Sequence, residues 1–210
     1  MATADAPNVP LQQRALRTRA KILDATVESL VDDGYTATTT ARVQELAGVS
    51  RGALIHHFPS KQELLMDAVA HLAVRRGRWF TEQAARLESP PDRCAAGMGL
   101  LWSTMSGPLF AAATELWVAA RTDDTLRDAL VVHERRLGVE ARTVIAEVLD
   151  EPDPEDPTFR AALDHALQTF RGAALTALLR DDARWERQMV RVTTETFCQM
   201  MNHDPQRTRP

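Results

Sequence analysis

Between Thr38 and Lys61 this 210-residue chain gathers residue types suited to holding a polyanion. Hydroxyls recur at Thr38, Thr39 and Ser50, guanidinium groups at Arg42 and Arg51, imidazoles at His56 and His57, and one of the chain's two lysines stands at Lys61. Donors and cations of this kind meet phosphate oxygens, whereas an arginine at a helix start followed by small residues, as in Arg51-Gly52-Ala53, suits base edges. Nothing comparable points to catalysis. There is no nucleophile with a base and an orienting partner, and Gly97-Met98-Gly99 lacks the third glycine of a phosphate loop. Single histidines with scattered carboxylates make no metal site. No enzyme activity, metal or cofactor is expected.

The charge distribution agrees with a polyanion at one end only. The chain carries a net charge of −4. Residues 1–61 have seven basic against six acidic side chains, while the remainder is net acidic. Arg14, Arg17, Arg19 and Lys21 concentrate the positive charge near the front, and Pro7 with Pro10 suggests an extended basic arm ahead of the first helix. A solvated helix face explains the same charges. The two cysteines, Cys94 and Cys198, form no CxxC or Cys/His cluster, so buried inert thiols are expected rather than a disulfide or zinc site. No stretch approaches about 18 uninterrupted apolar residues, and residues 1–10 lack the basic and apolar regions of a signal peptide. A cytoplasmic protein with no membrane partner is expected.

The elements that must position these residues are helices. Prolines at 59, 90, 91, 108, 152, 154 and 157 bound long proline-free runs in which apolar residues recur at helical spacing. These predict helices at about 11–33, 60–87, 94–105, 109–120, 126–148, 158–180 and 184–202. Gly34 suits the C-terminal cap of the first. No segment alternates with the period of two that a half-buried strand needs. In the informative stretch, Thr38 or Thr39 can cap a short helix ending at Ala47, Gly48 supplies a left-handed turn, and Ser50 caps the next helix. Val43, Ala47, Val49 and Leu54 face inward around that turn, as in a helix-turn-helix.

On these residues the sequence resembles the TetR family of transcriptional regulators. The matching elements are Gly34-Tyr35, Thr38-Thr39, Ala47-Gly48-Val49-Ser50, Gly52-Ala53-Leu54, His57-Phe58 and Ser60-Lys61. Two positions depart from the pattern. Ile55 stands where a tyrosine commonly touches the DNA backbone, and Gln44 where a small residue is usual. The resemblance implies an all-α protein with a three-helix DNA-binding unit and arm over 1–59, and a larger helical ligand-binding and dimerisation domain over 60–210. Its partners would be a double-stranded DNA operator, a small-molecule effector and a second copy of the chain. It would be a repressor released when the effector binds.

Residue roles follow from that resemblance and from chemistry. A recognition helix enters the major groove N-terminus first, which places Arg51, Gly52 and Ala53 nearest base edges. Thr38, Thr39, Arg42, Ser50, His56, His57 and Lys61 complete the expected DNA-binding set; a packing role for His57 and solvent exposure for Arg42 are the plainer alternatives. Trp102, Met105, Phe110, Trp117, His133 and Phe170 are expected to line an effector cavity suited to an apolar or aromatic molecule, with ordinary core packing as the alternative. Leu167, Ala174, Leu178, Trp185, Met189 and Phe197 lie on helices apolar over a wide arc, which suits burial against both the chain's own core and a second copy. The competing functional class is a helical small-molecule-binding or sequestering protein with weak or no DNA binding.

Overall fold

The computed structural model describes residues 9–87, 92–180 and 182–202, with side chains from residue 12 onward. The protein is all-α, with ten helices and no strand among the described residues. They are α1 (Val9–Asp32), α2 (Gly34–Ala37), α3 (Thr40–Ala47), α4 (Arg51–His57), α5 (Lys61–Ala85), α6 (Arg93–Ser103), α7 (Pro108–Ala119), α8 (Asp124–Leu149), α9 (Pro157–Ala177) and α10 (Ala183–Asn202). The chain folds as two compact units, one comprising residues 1–74 and 111–133, the other 75–110 and 134–210.

In the first unit, α1 buries Ile22, Leu23 and Ala25 against Val43 and Ala47 of α3, Leu54 of α4, and Leu64 and Ala68 of α5. Phe58, just past α4, is 1% exposed in the same cluster. α1 ends where Gly34 takes a positive φ of 77°, a conformation that favours glycine. The turn is fastened by Glu115, whose Oε2 accepts from the Tyr35 N–H at 2.7 Å. α1 begins at Val9 and contains Pro10, tolerated in a first turn whose N–H groups lack intrahelical partners. Arg14, Arg17, Arg19 and Lys21 therefore lie within α1, inside the helix that the sequence predicts over about 11–33. Residues 1–8 of the expected arm lie outside the described residues.

The second unit packs α9 against α10 and both against α6. Asp156 caps α9, its Oδ1 accepting from the Phe159 N–H at 2.8 Å, and Pro157 follows at the first helical position. Phe159 and Phe197 meet edge to face at 6.4 Å, and Trp102 lies 5.5 Å from Phe170. Phe159, Phe170, Phe197, Met98 and Leu101 are almost wholly buried here. The two cysteines contradict the expectation of free thiols. Cys94 of α6 and Cys198 of α10 are joined as a disulfide, with Cα atoms 6.6 Å apart. Their 104-residue separation conceals this, because periodicity assigns a residue to a helix face but not to the helix that the face meets.

Candidate nucleic-acid interface

The helix-turn-helix is held by three local devices. Thr39, in extended conformation, accepts at Oγ1 from the Arg42 N–H at 3.1 Å and so caps α3. Gly48 ends α3 with φ 57° and ψ 42°, and its own N–H with that of Val49 satisfies the carbonyls of Glu45 and Gln44. Ser50 then caps α4 by accepting from the Ala53 N–H at 3.1 Å. Two short helices that would be marginal alone are thus closed at their facing ends and share one core.

That core divides α4 into two faces. Leu54 is turned inward, while Arg51, Gly52, Ile55 and His56 are exposed and Ala53 is half-buried. The outward face opens with an arginine and a glycine at the helix N-terminus, the end a recognition helix presents to bases. Ile55, 47% exposed, adds an apolar spot to that face. Gln44 is half-buried and its carbonyl takes part in the turn, so the larger side chain is accommodated beside an intact turn.

The other expected contacts divide into surface and scaffold. Thr38 is 1% exposed, with its hydroxyl 3.1 Å from the Ser29 hydroxyl and donating to the Gly34 carbonyl at 2.8 Å. It is a buried brace between α1 and α2, which corrects its place among the DNA-facing residues. Arg42 donates to both carboxylate oxygens of Asp33, holding that carboxyl below its ordinary range. His57 is half-buried, and burial followed by repulsion from His56 and Arg19 pushes its imidazole towards the neutral form. His56 remains exposed at the end of α4. Lys61 opens α5 with its ammonium 5.3 Å from the centre of the Tyr35 ring. The preceding Ser60 caps α5, its hydroxyl accepting from the Glu63 N–H at 3.1 Å and donating to the Glu63 carboxylate at 3.2 Å.

Sequence reasoning missed three supporting residues. Asp33 positions Arg42, Ser29 holds Thr38, and Arg19 pairs with Asp67 while its guanidinium lies 5.3 Å from the Phe58 ring centre. The signal for Asp33 was present, an acidic residue just before a Gly-aromatic turn with an arginine nine positions on. The Arg19 contacts join residues too distant in sequence for any spacing rule.

The residues expected around an effector are dispersed. A cavity of about 60 Å³ in the second unit is lined by Met105 and Leu167 together with Phe80 and Leu101, and also by Arg76, Glu134, Glu140 and Arg171. Glu134 bonds Arg76 at 2.5 Å and approaches Arg171 at 3.9 Å. Phe110 lines a neighbouring opening of about 270 Å³ with Trp79, Arg75 and Arg76. Phe170 is core, Trp102 lies beside it, and Trp117 and His133 belong to the first unit and line neither cavity. Among the residues expected at a dimer contact, Phe197 and Ala174 are buried in their own unit. Leu167, Trp185 and Met189 are half-buried, and Leu178 is 65% exposed. Leu175, Leu179 and Val192 are exposed as well.

Comparison with known proteins meets this geometry at the helix-turn-helix. The profile of bacterial regulatory proteins of the tetR family matches residues 22–68, a span that contains α3, the turn and α4. An uncharacterized HTH-type transcriptional regulator of Mycobacterium tuberculosis is 31% identical over 189 residues, covering 87% of this chain and 94% of its own. A solved TetR transcription regulator from Haloarcula marismortui superposes with a TM-score of 0.65 at 20% identity, covering 88% of this chain and 98% of that one. The multidrug binding protein EbrR, solved with ethidium, gives a TM-score of 0.59 at 21% identity over 85% and 97% of the two chains. With a helix-turn-helix closed by its own caps and a relative alike over nearly its full length, the chain belongs to the tetR family of bacterial regulatory proteins, transcriptional regulators that bind DNA.

Proposed function

We propose that the protein is a dimeric, ligand-responsive repressor. In this reading residues 1–59 read a DNA operator, and residues 60–210 bind an effector and a second copy of the chain. The observation that carries the DNA half is the split of α4, with Leu54 in the core and Arg51, Gly52, Ile55 and His56 turned outward. Arg51 has two donors for guanine O6 and N7, Ala53 offers a methyl to thymine, and Thr39, Ser50, His56 and Lys61 are the phosphate-side contacts.

The opening of about 270 Å³ beside Trp79, Leu109 and Phe110 supports an effector with an apolar or aromatic body, with Arg75 and Arg76 at its wall, whereas the 60 Å³ cavity beside Leu101, Met105 and Leu167 is too small for one. EbrR, which shares the fold, is solved with ethidium, an aromatic ligand of that general kind. Effector binding would shift the protein between two arrangements that hold the paired recognition helices at different separations, weakening DNA binding. The exposed Leu175, Leu178, Leu179 and Val192 support a second copy as the partner of α9 and α10, because a twofold arrangement covers the same apolar patch on both subunits.

Selection of bound duplexes from a random pool tests this reading. The expected outcome is an inverted repeat with half-sites about one helical turn, or a multiple, apart. Bound sequences with no inverted symmetry would contradict the dimeric reading.

A further inference from the structure

Cys94 and Cys198 are the chain's two cysteines, and the second unit joins their sulfurs across α6 and α10. The bond ties the first turn of α6 to the last turns of α10. Both residues are half-buried rather than sealed in the core. The same two helices line a groove of about 570 Å³, with Ala95 and Trp102 of α6 facing Val190, Thr194 and Glu195 of α10. Further along α6, Leu101 lines the inner cavity with Met105, Arg76 and Arg171. One helix thus carries a cysteine at its start and a wall of the cavity near its end.

We propose that Cys94 and Cys198 are a reversible thiol–disulfide site, oxidised by a peroxide or a small-molecule disulfide, and that closing it changes DNA affinity; the second part rests on the regulator reading above. A protein that acts on genes works where the DNA is, in a compartment whose thiol systems keep cysteine pairs reduced at rest. A pair within bonding distance there is a switch rather than a permanent brace. Asp92 already caps this end of α6, its Oδ1 accepting from the Ala95 N–H at 2.9 Å, so either thiol can react first, and one route starts from the Cys94 thiolate. It attacks one oxygen of hydrogen peroxide, breaking the O–O bond, releasing water after protonation and leaving a sulfenic acid on Cys94. The Cys198 sulfur then displaces the sulfenic oxygen as a second water, forming the S–S bond. Two thiols lose two electrons and two protons, and the peroxide accepts both. A dithiol reverses the change by exchange. Closure permits only arrangements of α6 and α10 that keep the two cysteines at bonding distance. The cavity wall carried on α6 is then less free to move.

The test uses the full-length chain, reduced with dithiothreitol, desalted, and treated with hydrogen peroxide or oxidised glutathione. Mass spectrometry should find one intramolecular disulfide, reopened by dithiothreitol without denaturant. Closing a loop of about 100 residues should raise Tm by on the order of 10 °C. Cys198→Ser should remove the bond and the Tm shift. On the duplex selected by the reduced protein, the oxidised protein should differ in Kd by about fivefold or more, the lower end of ordinary coupling between sites, and Cys198→Ser should show no such difference. No bond, a bond formed only after unfolding, a bond that resists dithiothreitol in the folded protein, or equal Kd for the two forms would each overturn the proposal. Failure of the reduced wild type to select any DNA would instead overturn the regulator reading, and the mass and Tm measurements would still decide the thiol site.

Discussion

Asp33 clasps Arg42 across the start of the helix-turn-helix, with the arginine Nε 2.8 Å from one carboxylate oxygen and Nη2 3.3 Å from the other. The two-point contact fixes the orientation of a guanidinium that would otherwise sweep a wide volume, and it ties α3 to the end of α1. Glu45, 3.5 Å away on the same side chain, adds a looser contact. Arg42 is thus already engaged within the protein before any nucleic acid arrives.

The clasp makes a pH prediction. Asp33 has its carboxyl lowered from the ordinary 3.8, chiefly by its hydrogen bond to Arg42. A carboxylate with a lowered folded pKa adds stability above its unfolded value and loses it as pH falls through the folded one. The wild type should therefore lose a stability increment below about pH 3.8 that Asp33→Asn lacks throughout. Thermal melts of both proteins across that window measure it, and parallel curves would exclude the linkage.

Arg42 and Lys61 should separate in salt dependence. Lys61→Ala should weaken binding to all duplexes and reduce the slope of log K against log salt by about one, because one fewer counterion is released. Arg42→Ala, whose charge is already answered by Asp33, should change that slope by less than half as much. Equal slope changes would place Arg42 on phosphate after all.

Gly48 should accept a side chain only at a cost in backbone conformation. Its φ of 57° is left-handed, and the nearest atom to an added Cβ is the Lys21 ammonium at 3.6 Å, so space is available and the cost is one of backbone conformation. Gly48→Ala should destabilise by about 1–2 kcal/mol, and Gly48→Asn by less, because asparagine visits this region more readily. Chemical denaturation with an unchanged m-value checks both.

These predictions rest on parts of the molecule that were unequally legible in the sequence. Proline spacing and the 3.6-residue recurrence of apolar side chains marked seven long helices, because each of those helices buries one stripe. The capped turn of Thr39, Gly48 and Ser50 was equally legible, since those residue types solve a local backbone problem. The four-residue α2 leaves no periodicity to detect, so Thr38 read as a surface hydroxyl when its partners, Ser29 and Gly34, enclose it. A wide apolar arc along α9 and α10 likewise does not distinguish Phe197, packed on Phe159, from the exposed Leu178. Cys94 and Cys198 meet only through the packing of α6 on α10.

The same pair of residues on the last helices gives a prediction about assembly. Phe197→Ala should cost about 3–5 kcal/mol by opening a cavity in a core where Phe197 is 1% exposed. Leu178→Arg should leave the fold of each subunit intact and shift sedimentation from dimer towards monomer. Unchanged sedimentation for Leu178→Arg would remove this face from the proposed contact.

Whether the exposed face of α4 reads DNA sequence is decided by one competition binding measurement at physiological salt. The duplex selected by the wild-type protein is set against a scrambled duplex of equal length, for the wild type and for Arg51→Ala. The wild type should prefer the selected duplex by about 10³-fold or more. Arg51→Ala should lose about 1–3 kcal/mol on that duplex while binding the scrambled one nearly as before. Equal affinity of the wild type for the two duplexes would contradict a base-reading role for α4.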